Sequence, residues 1–355
     1  MLSLLLDPDL RLHLEDQPIT ERAPGEALVK VVAVGLCGSD RHWVMEGHIG
    51  DSLITEPIVP GHEFAGIAQD GRHEGRLVAV DPGIPCERCG PCLAGAAHLC
   101  LAMRFAGQDG TNGGLSEFVA WPERCLEPLG PNVTPAEAAL VEPLAIAVHA
   151  LEVSGSLRGR TVAVIGAGPI GLLVTLLAQR DEASFIAATD LLQHRVRAAR
   201  AFGANHAELA LGSDSDAAAM LAAASAAVPN ALSGAGYDVV FDASGEPAAV
   251  DTALALAGLG AQVILVGIPS EERTSFVAAT ARRKELTLKL SRRSTPAAFR
   301  RAAELVSSGQ LDLERLVTLR LPLSEAATAI ESLVARDGLK VLIEPGTAEP
   351  ASANG

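Results

Sequence analysis

Between Val162 and Ala178 the chain carries no charged residue and approaches the length of a membrane span. Gly166-Ala-Gly-Pro-Ile-Gly171 in its middle decides against that reading. The same residues suit a buried strand, a tight turn and a buried helix. The glycines allow close approach of backbone to a pyrophosphate and packing of helix on strand, and a helix N-terminus favours negative charge. Asp190 ends the next apolar run about twenty residues further on, where an acid can accept hydrogen bonds from ribose hydroxyls. It would repel a 2′-phosphate. Leu191 and Leu192 follow it rather than an arginine, which favours NAD over NADP. A glycine-rich turn with a purely structural role is the alternative.

The residues around this motif alternate between strand and helix patterns. Strands are expected at Thr161 to Ile165, Phe185 to Thr189, Asp238 to Ala243 and Gln262 to Val266, with helices at Pro169 to Gln179 and Gln193 to Phe202. Such alternation implies a parallel, doubly wound α/β sheet. Asp214 to Val228 is alanine-rich and reads as a crossover helix; Pro296 to Ser308 reads as an amphipathic helix, and residues 346–355 as a loose tail. Up to about residue 130 the texture differs. Ala27 to Val34 and Glu74 to Val80 are β-type runs set among Gly and Pro, and from about Pro135 a helix runs through Glu142 and His149. The length, 355 residues, suggests two domains. With 48% hydrophobic and 20% charged residues the chain can bury a core, and few aromatics leave alanine, valine and leucine to fill it. A net charge of −15 argues against nucleic acid or an anionic membrane as partner. No transmembrane segment is expected.

Cys86-Glu-Arg-Cys-Gly-Pro-Cys-Leu-Ala-Gly-Ala-Ala-His-Leu-Cys100 places four thiols at spacing C-x2-C-x2-C-x7-C. Zn²⁺ favours four thiolates in a tetrahedron, and glycine and proline let a short lobe converge. Two disulfides would need an oxidising compartment, and nothing at the N-terminus resembles a secretory signal. An iron–sulfur cluster fits the first three spacings but not the fourth. Four thiolates leave no open position, so this zinc is structural and the chemistry lies elsewhere. The remaining cysteines, Cys37 and Cys125, form no obvious pair; this usage fits a reducing cytoplasm.

Elsewhere stand Cys37-Gly-Ser-Asp-Arg-His42 and Gly61-His-Glu63. A thiolate and an imidazole are typical zinc ligands, and a third could come from Glu63 or from Glu142 in Val141-Glu-Pro-Leu144. Three protein ligands plus water make a catalytic zinc site. The alternatives are a packed cysteine, a satisfied histidine and ion-paired carboxylates.

Together with Val34-Gly-Leu-Cys-Gly-Ser-Asp40, Gly61-His-Glu-Phe-Ala-Gly66 and Lys284-Glu-Leu-Thr-Leu288, these motifs resemble the zinc-dependent medium-chain alcohol dehydrogenases, in the sorbitol/polyol and threonine dehydrogenase branch, over roughly residues 20 to 345. The resemblance implies a GroES-like β-rich catalytic domain over 1–143 and 292–355, carrying the zinc lobe 86–100, and a Rossmann NAD-binding domain over 144–291. It implies two zinc ions per chain. Cys37 and His62 bind the catalytic one, with Glu142 standing where other zinc alcohol dehydrogenases place a second cysteine. Glu63 lies in or next to that shell, and Cys86, Cys89, Cys92 and Cys100 hold the structural zinc. Ser39 takes the alcohol proton, which passes through the nicotinamide ribose toward His42. Gly166, Gly168, Pro169, Ile170, Gly171, Asp190, Arg195 and Gly267 bind the cofactor, NAD, and Arg292 or Arg293 and Trp43 contact substrate. The implied reaction is reversible oxidation of a secondary alcohol on a polyol or sugar-like molecule to a ketone, by a cytoplasmic homo-oligomer, a tetramer or dimer. A threonine-type dehydrogenase and a non-catalytic NAD-binding protein are the other readings. Two departures touch the substrate region: Trp43 replaces a tyrosine common in sorbitol enzymes, and Ser291-Arg-Arg-Ser294 is not their usual sequence.

Overall fold

A computed structural model describes residues 1–346 apart from 20, 51, 109, 211–218, 224–225, 227–235, 270 and 272. The chain forms two compact units, Met1–Ala145 with Ser294–Gly355, and Ile146–Arg293.

In the first unit one sheet runs in the order Leu126–Pro128, Leu77–Val80, Glu63–Ala68, Glu26–Gly35, Lys340–Glu344, Val317–Pro322, and Phe118–Pro122 also pairs with Glu26–Gly35. Glu26–Gly35 is its axis. Ala27, Val29 and Val31 point into the core and Lys30 out, the period-two alternation of a strand with one solvated face. Toward its end the strand is buried on both sides, and there the pairings Gly35↔Glu63 and Leu342↔Gly35 bring three strands to one place. Val317–Pro322 lies parallel to Lys340–Glu344 and is joined to it through helix Ala326–Ala335. The core packs Val29, Val31, Phe64, Trp121, Leu126 and Ile343. Trp121 meets Phe64 edge-on at 5.7 Å, and its indole donates to the Asp81 carbonyl at 2.9 Å.

The helix expected from Pro135 through His149 is two helices, Pro135–Ala139 and Val141–Ser154. Pro143 has no N–H to return to the carbonyl of Ala139, so the ladder breaks and restarts with the proline in the new first turn. Thr134 and Glu137 close the first helix with a reciprocal capping box. The run at Glu74 to Val80 becomes strand only from Leu77, after a turn through Gly75.

In the second unit six parallel strands take the order His206–Leu209, Phe185–Asp190, Thr161–Ile165, Tyr237–Asp242, Ala257–Leu265, Thr287–Leu290. The strands are added in one direction from Thr161–Ile165 outward and then, from Tyr237–Asp242, in the other, and this switch opens a crevice at the carboxyl ends of those two strands. Thr161–Ile165 and Phe185–Asp190 are buried along their whole length, as strands covered on both faces must be. The strand expected at Gln262 to Val266 begins earlier, at Ala257. The crossover helix expected over 214–228 lies largely outside the described residues, of which 219–223 are helical. Residues 347–355 of the expected tail also lie outside them. Among the described residues no helix is long and apolar enough to cross a membrane.

Candidate active site and metal centres

Among the described residues two groups of metal-ligating side chains form, both in the first unit. In the lobe, one ligand atom from each of Cys86, Cys89, Cys92 and Cys100 lies within 4.8 Å of the others. Cys89 Sγ is 3.4 Å from Cys92 Sγ and 3.8 Å from Cys100 Sγ. A tetrahedron of sulfurs at about 2.3 Å from zinc has edges of about 3.8 Å, so this arrangement fits that ion. All six cysteines are free thiols, and the disulfide reading fails. Backbone hydrogen bonding, from Leu101 first, lowers the Cys89 thiol to about 6, whereas burial first and neighbouring thiols push Cys92 up to about 12. Crowded thiols sharing charge without a cation separate in this way.

The second group unites Cys37, His62 and Glu63, again within 4.8 Å. Cys37 caps helix Gly38–Glu46, and its backbone N–H donates to Asp40 Oδ2 at 2.8 Å. Gly61, at φ 92, turns the chain just before His62. His62 Nε2 lies 3.3 Å from Ser39 Oγ and its Nδ1 3.6 Å from Asp40 Oδ1. A carboxylate on one ring nitrogen orients the imidazole and leaves the other to a ligand. Burial works against a charge on His62, but Asp40 and Cys37 outweigh it and hold its pKa well above the ordinary value. Anions that favour a proton here favour a metal cation equally well. The donor set therefore fits a zinc ion.

Glu142, near the start of Val141–Ser154, is 6% exposed and lies outside the close group. Burial first, and then the charge of Glu63, push its carboxyl up to about 8 against the pull of His62 and Lys340. Lys340 is a residue the sequence reading missed. Its ammonium contacts both oxygens of Glu63, at 2.8 and 2.6 Å. The available signal was a single lysine opening the otherwise apolar Lys340-Val-Leu-Ile343. Asp40, seen in the motif but given no role, was missed as well.

His42 is one helical turn from Ser39, and its Nδ1 lies 3.0 Å from Glu46 Oε1. Trp43 is 2% exposed and packs with Leu6 and Ile58, so its ring is enclosed and presents little surface to a ligand. Its expected substrate contact has no support in this packing. Arg293 holds a left-handed φ of 55, and Arg292 is exposed.

In the second unit Gly166 has φ 87, and a Cβ there would stand 2.9 Å from Ser244 N. A Cβ on Gly171 would lie 1.8 Å from Gly166 O, so helix and turn meet only because this residue is bare. Gly168 caps helix Pro169–Arg180, with Pro169 and Ile170 opening its first turn. Asp190 Oδ2 accepts from Ala167 N at 2.8 Å and Oδ1 from Leu192 N at 2.9 Å. Arg195 Nη1 is 3.9 Å from Asp190 Oδ2 and 3.5 Å from where a Gly168 side chain would begin. Gly267 follows the strand ending at Leu265, against Gly245. This cradle fits a dinucleotide.

Residues 23–131 match the alcohol dehydrogenase GroES-like domain family, and residues 169–308 match the zinc-binding dehydrogenase family. The chain is 36% identical over 349 residues to D-xylulose reductase A of Aspergillus niger, covering 96% of each. Among solved structures it is similar to a Sinorhizobium meliloti protein described as a zinc-binding dehydrogenase bound to NADP (30% identity, TM-score 0.86, 97% and 99% covered). It also resembles L-idonate 5-dehydrogenase from Escherichia coli (26% identity, TM-score 0.86, 97% of each covered). GroES-like and Rossmann-type units, two zinc-fitting donor sets and these relatives converge: the chain belongs to the zinc-dependent medium-chain alcohol dehydrogenase family, in its polyol branch, and is an oxidoreductase acting on CH–OH groups.

Proposed function

We propose that the protein catalyses the reversible, NAD-linked oxidation of a secondary alcohol on a polyol to the corresponding ketose. The observation that carries this reading is the buried group of Cys37, His62 and a carboxylate beside the Ser39 hydroxyl. Cys37, His62 and Glu142 or Glu63 hold one zinc, and the four lobe cysteines hold a second. Zinc supplies Lewis acidity toward the alcohol oxygen, and NAD supplies the hydride acceptor. Residues 146–293 bind the nucleotide: the glycine turn and helix N-terminus take the pyrophosphate, and Asp190 takes the ribose. Ser39 is buried and accepts the alcohol proton. His42, at i+3 on the same helix face and partly exposed, carries that proton outward, with Glu46 orienting its ring. Arg292 or Arg293 contacts the substrate's other hydroxyls.

The D-xylulose reductase relative points to a five-carbon polyol and its ketose as the first pair to test. Free thiols throughout support a cytoplasmic location. Leu93 and Leu101, 77% and 81% exposed on the zinc lobe, support a homo-oligomer, a tetramer or dimer. Sugar alcohols, inositols, aminocyclitols and threonine, each offered with NAD and followed by NADH absorbance, test the reading. Polyol turnover with two zinc ions per chain is expected. Threonine oxidation alone would replace the substrate class, and one zinc without turnover would make this a nucleotide-binding protein.

A further inference from the structure

Asp242 closes the strand Tyr237–Asp242 at the mouth of the crevice and belongs to none of the motifs above. It is 4% exposed. Its Oδ1 accepts from the Ser244 hydroxyl at 2.6 Å and from Ser244 N at 2.9 Å, and the hydroxyl in turn accepts from Glu246 N at 3.2 Å. Burial raises the pKa of the Asp242 carboxyl, and the O–H and N–H of Ser244, then the Gly245 N–H, act against that rise. The buried charge is thus met by donors of its own loop, and meeting it folds residues 242–246 into one shape.

The turns of the crevice close on that loop. Ala243 N donates to Ile165 O at 2.8 Å, and Asp242 O accepts from Val266 N at 2.8 Å and from Gly267 N at 3.0 Å. A Cβ at Gly166 would stand 2.9 Å from Ser244 N, and one at Gly267 only 2.2 Å from Gly245 N. Backbone packed this closely passes any shift of residues 243–245 to both neighbouring turns. Strand order says which part of a dinucleotide lies here. Asp190 ends the strand on one side of Thr161–Ile165, and Tyr237–Asp242 and Ala257–Leu265 follow on the other. With the adenosine ribose at Asp190 and the pyrophosphate at the glycine turn, the nicotinamide half runs over residues 243–245 and Gly267.

We propose that Asp242 is a positioning residue for the nicotinamide half of the cofactor: through Ser244 it fixes residues 243–245 before the nucleotide arrives, so that the ring and its ribose meet a floor already in place. This inference rests on the NAD-linked reading above. A loop ordered in advance needs no ordering on binding, and without its carboxylate that cost falls on the half of the ligand that touches it. AMP, held by the helix N-terminus and Asp190, lies on the other side of the switch between strands.

The test follows NADH binding by fluorescence and AMP binding by calorimetry in the full chain, for wild type, Asp242→Ala, Ser244→Ala and the double variant. Asp242→Ala should weaken NADH about tenfold while AMP stays within about twofold, and KM for NAD should rise in step with the NADH loss. Ser244→Ala leaves the Ser244 N–H on the carboxylate and should weaken NADH less, by about threefold. The double variant should match Asp242→Ala, because the hydroxyl then has no carboxylate to act through. Equal losses for NADH and AMP in Asp242→Ala, or no loss for either, would overturn the proposal, as would losses that multiply in the double variant. Should Asp242→Ala fail to fold, Ser244→Ala decides: weaker NADH with unchanged AMP supports the proposal, and any other pattern overturns it. Wild-type protein that binds neither ligand would overturn the nucleotide-binding reading itself, and the proposal with it.

Discussion

The four-cysteine lobe and the Cys37–His62 pocket each gather metal-ligating side chains, and they are assembled in opposite ways. The lobe draws all its ligands from residues 86–100, uses sulfur alone, and leaves three of its four cysteines partly exposed. The pocket gathers a helix cap and the starts of two strands, and spans 277 positions between Glu63 and Lys340. Strand register builds the pocket. Within the lobe the regular elements are the single-turn helices Gly90–Leu93 and Ala97–Leu99, which cannot hold four thiols together by themselves. Metal in the lobe should therefore act on folding, and metal in the pocket on chemistry.

Substitution of the pocket cysteine should separate these roles most widely. Cys37→Ala is expected to lower kcat/KM by about a thousandfold or more, since loss of several kcal/mol of Lewis-acid stabilisation acts at 1.36 kcal/mol per tenfold. NADH binding, followed by fluorescence, should barely change, because residues 146–293 form their own unit. Residual turnover near wild type in zinc-replete buffer would remove the pocket from the mechanism.

The nucleotide turn serves as a reference that neither metal group should influence. Wild type should prefer NAD over NADP by about a hundredfold or more, since a carboxylate against a 2′-phosphate costs several kcal/mol. Asp190→Ala should shrink that ratio from both sides, measured as kcat/KM for each cofactor. Arg195, 3.9 Å from Asp190, opposes this preference by lending positive charge. Equal use of both cofactors by wild type would mean that the arginine, not the acid, sets the choice.

Cys92→Ser sharpens the comparison from the other side. Losing about 3 kcal/mol of lobe stability would lower Tm by roughly 6–12 °C if the unit that carries the lobe, roughly 200 residues, melts by itself, while turnover per folded molecule stays within about twofold. An unchanged Tm with lost catalysis would reverse the two assignments.

A smaller effect belongs to Asp81, at the end of the strand leading toward the lobe. Burial first, and Glu127 next among the groups acting in that direction, raise its carboxyl to about 7 against the Gly83 N–H and Arg300. Through this window the folded chain holds a proton that the unfolded chain releases, so stability falls as pH rises from about 4 to about 7. Asp81→Asn should remove that slope and gain about 1 kcal/mol at pH 8, read from urea midpoints at both ends of the window. Parallel pH profiles for the two proteins would show that Asp81 is solvated as a carboxylate.

The same contrast explains what sequence reasoning reached. The cysteine lobe was legible because its ligands share one short stretch, and the nucleotide turn because its glycines and Asp190 lie within a single strand–helix–strand unit. The pocket was legible only in fragments. Cys37, His62, Glu63 and Glu142 stood out as residue types, but register alone places Lys340 against Glu63. Helix propensity carried the reading of residues 135–149 past Pro143, where the missing N–H restarts the helix. Trp43 looked like a surface for substrate, whereas its neighbours Leu6 and Ile58 come from distant strands and loops that local pattern cannot assign.

The bond from Ala167 N to Asp190 Oδ2 carries a last consequence. Under the proposed NAD-linked function, the amide belongs to the turn that takes phosphate and the carboxylate to the residue that takes ribose, so one braced piece would read both ends of a mononucleotide. Preorganisation of this kind makes recognition non-additive: AMP should bind more tightly than the separate contributions of ribose and phosphate predict. Loss of Asp190 should then loosen the phosphate grip too, and inorganic pyrophosphate, which never touches the ribose subsite, should become a weaker inhibitor.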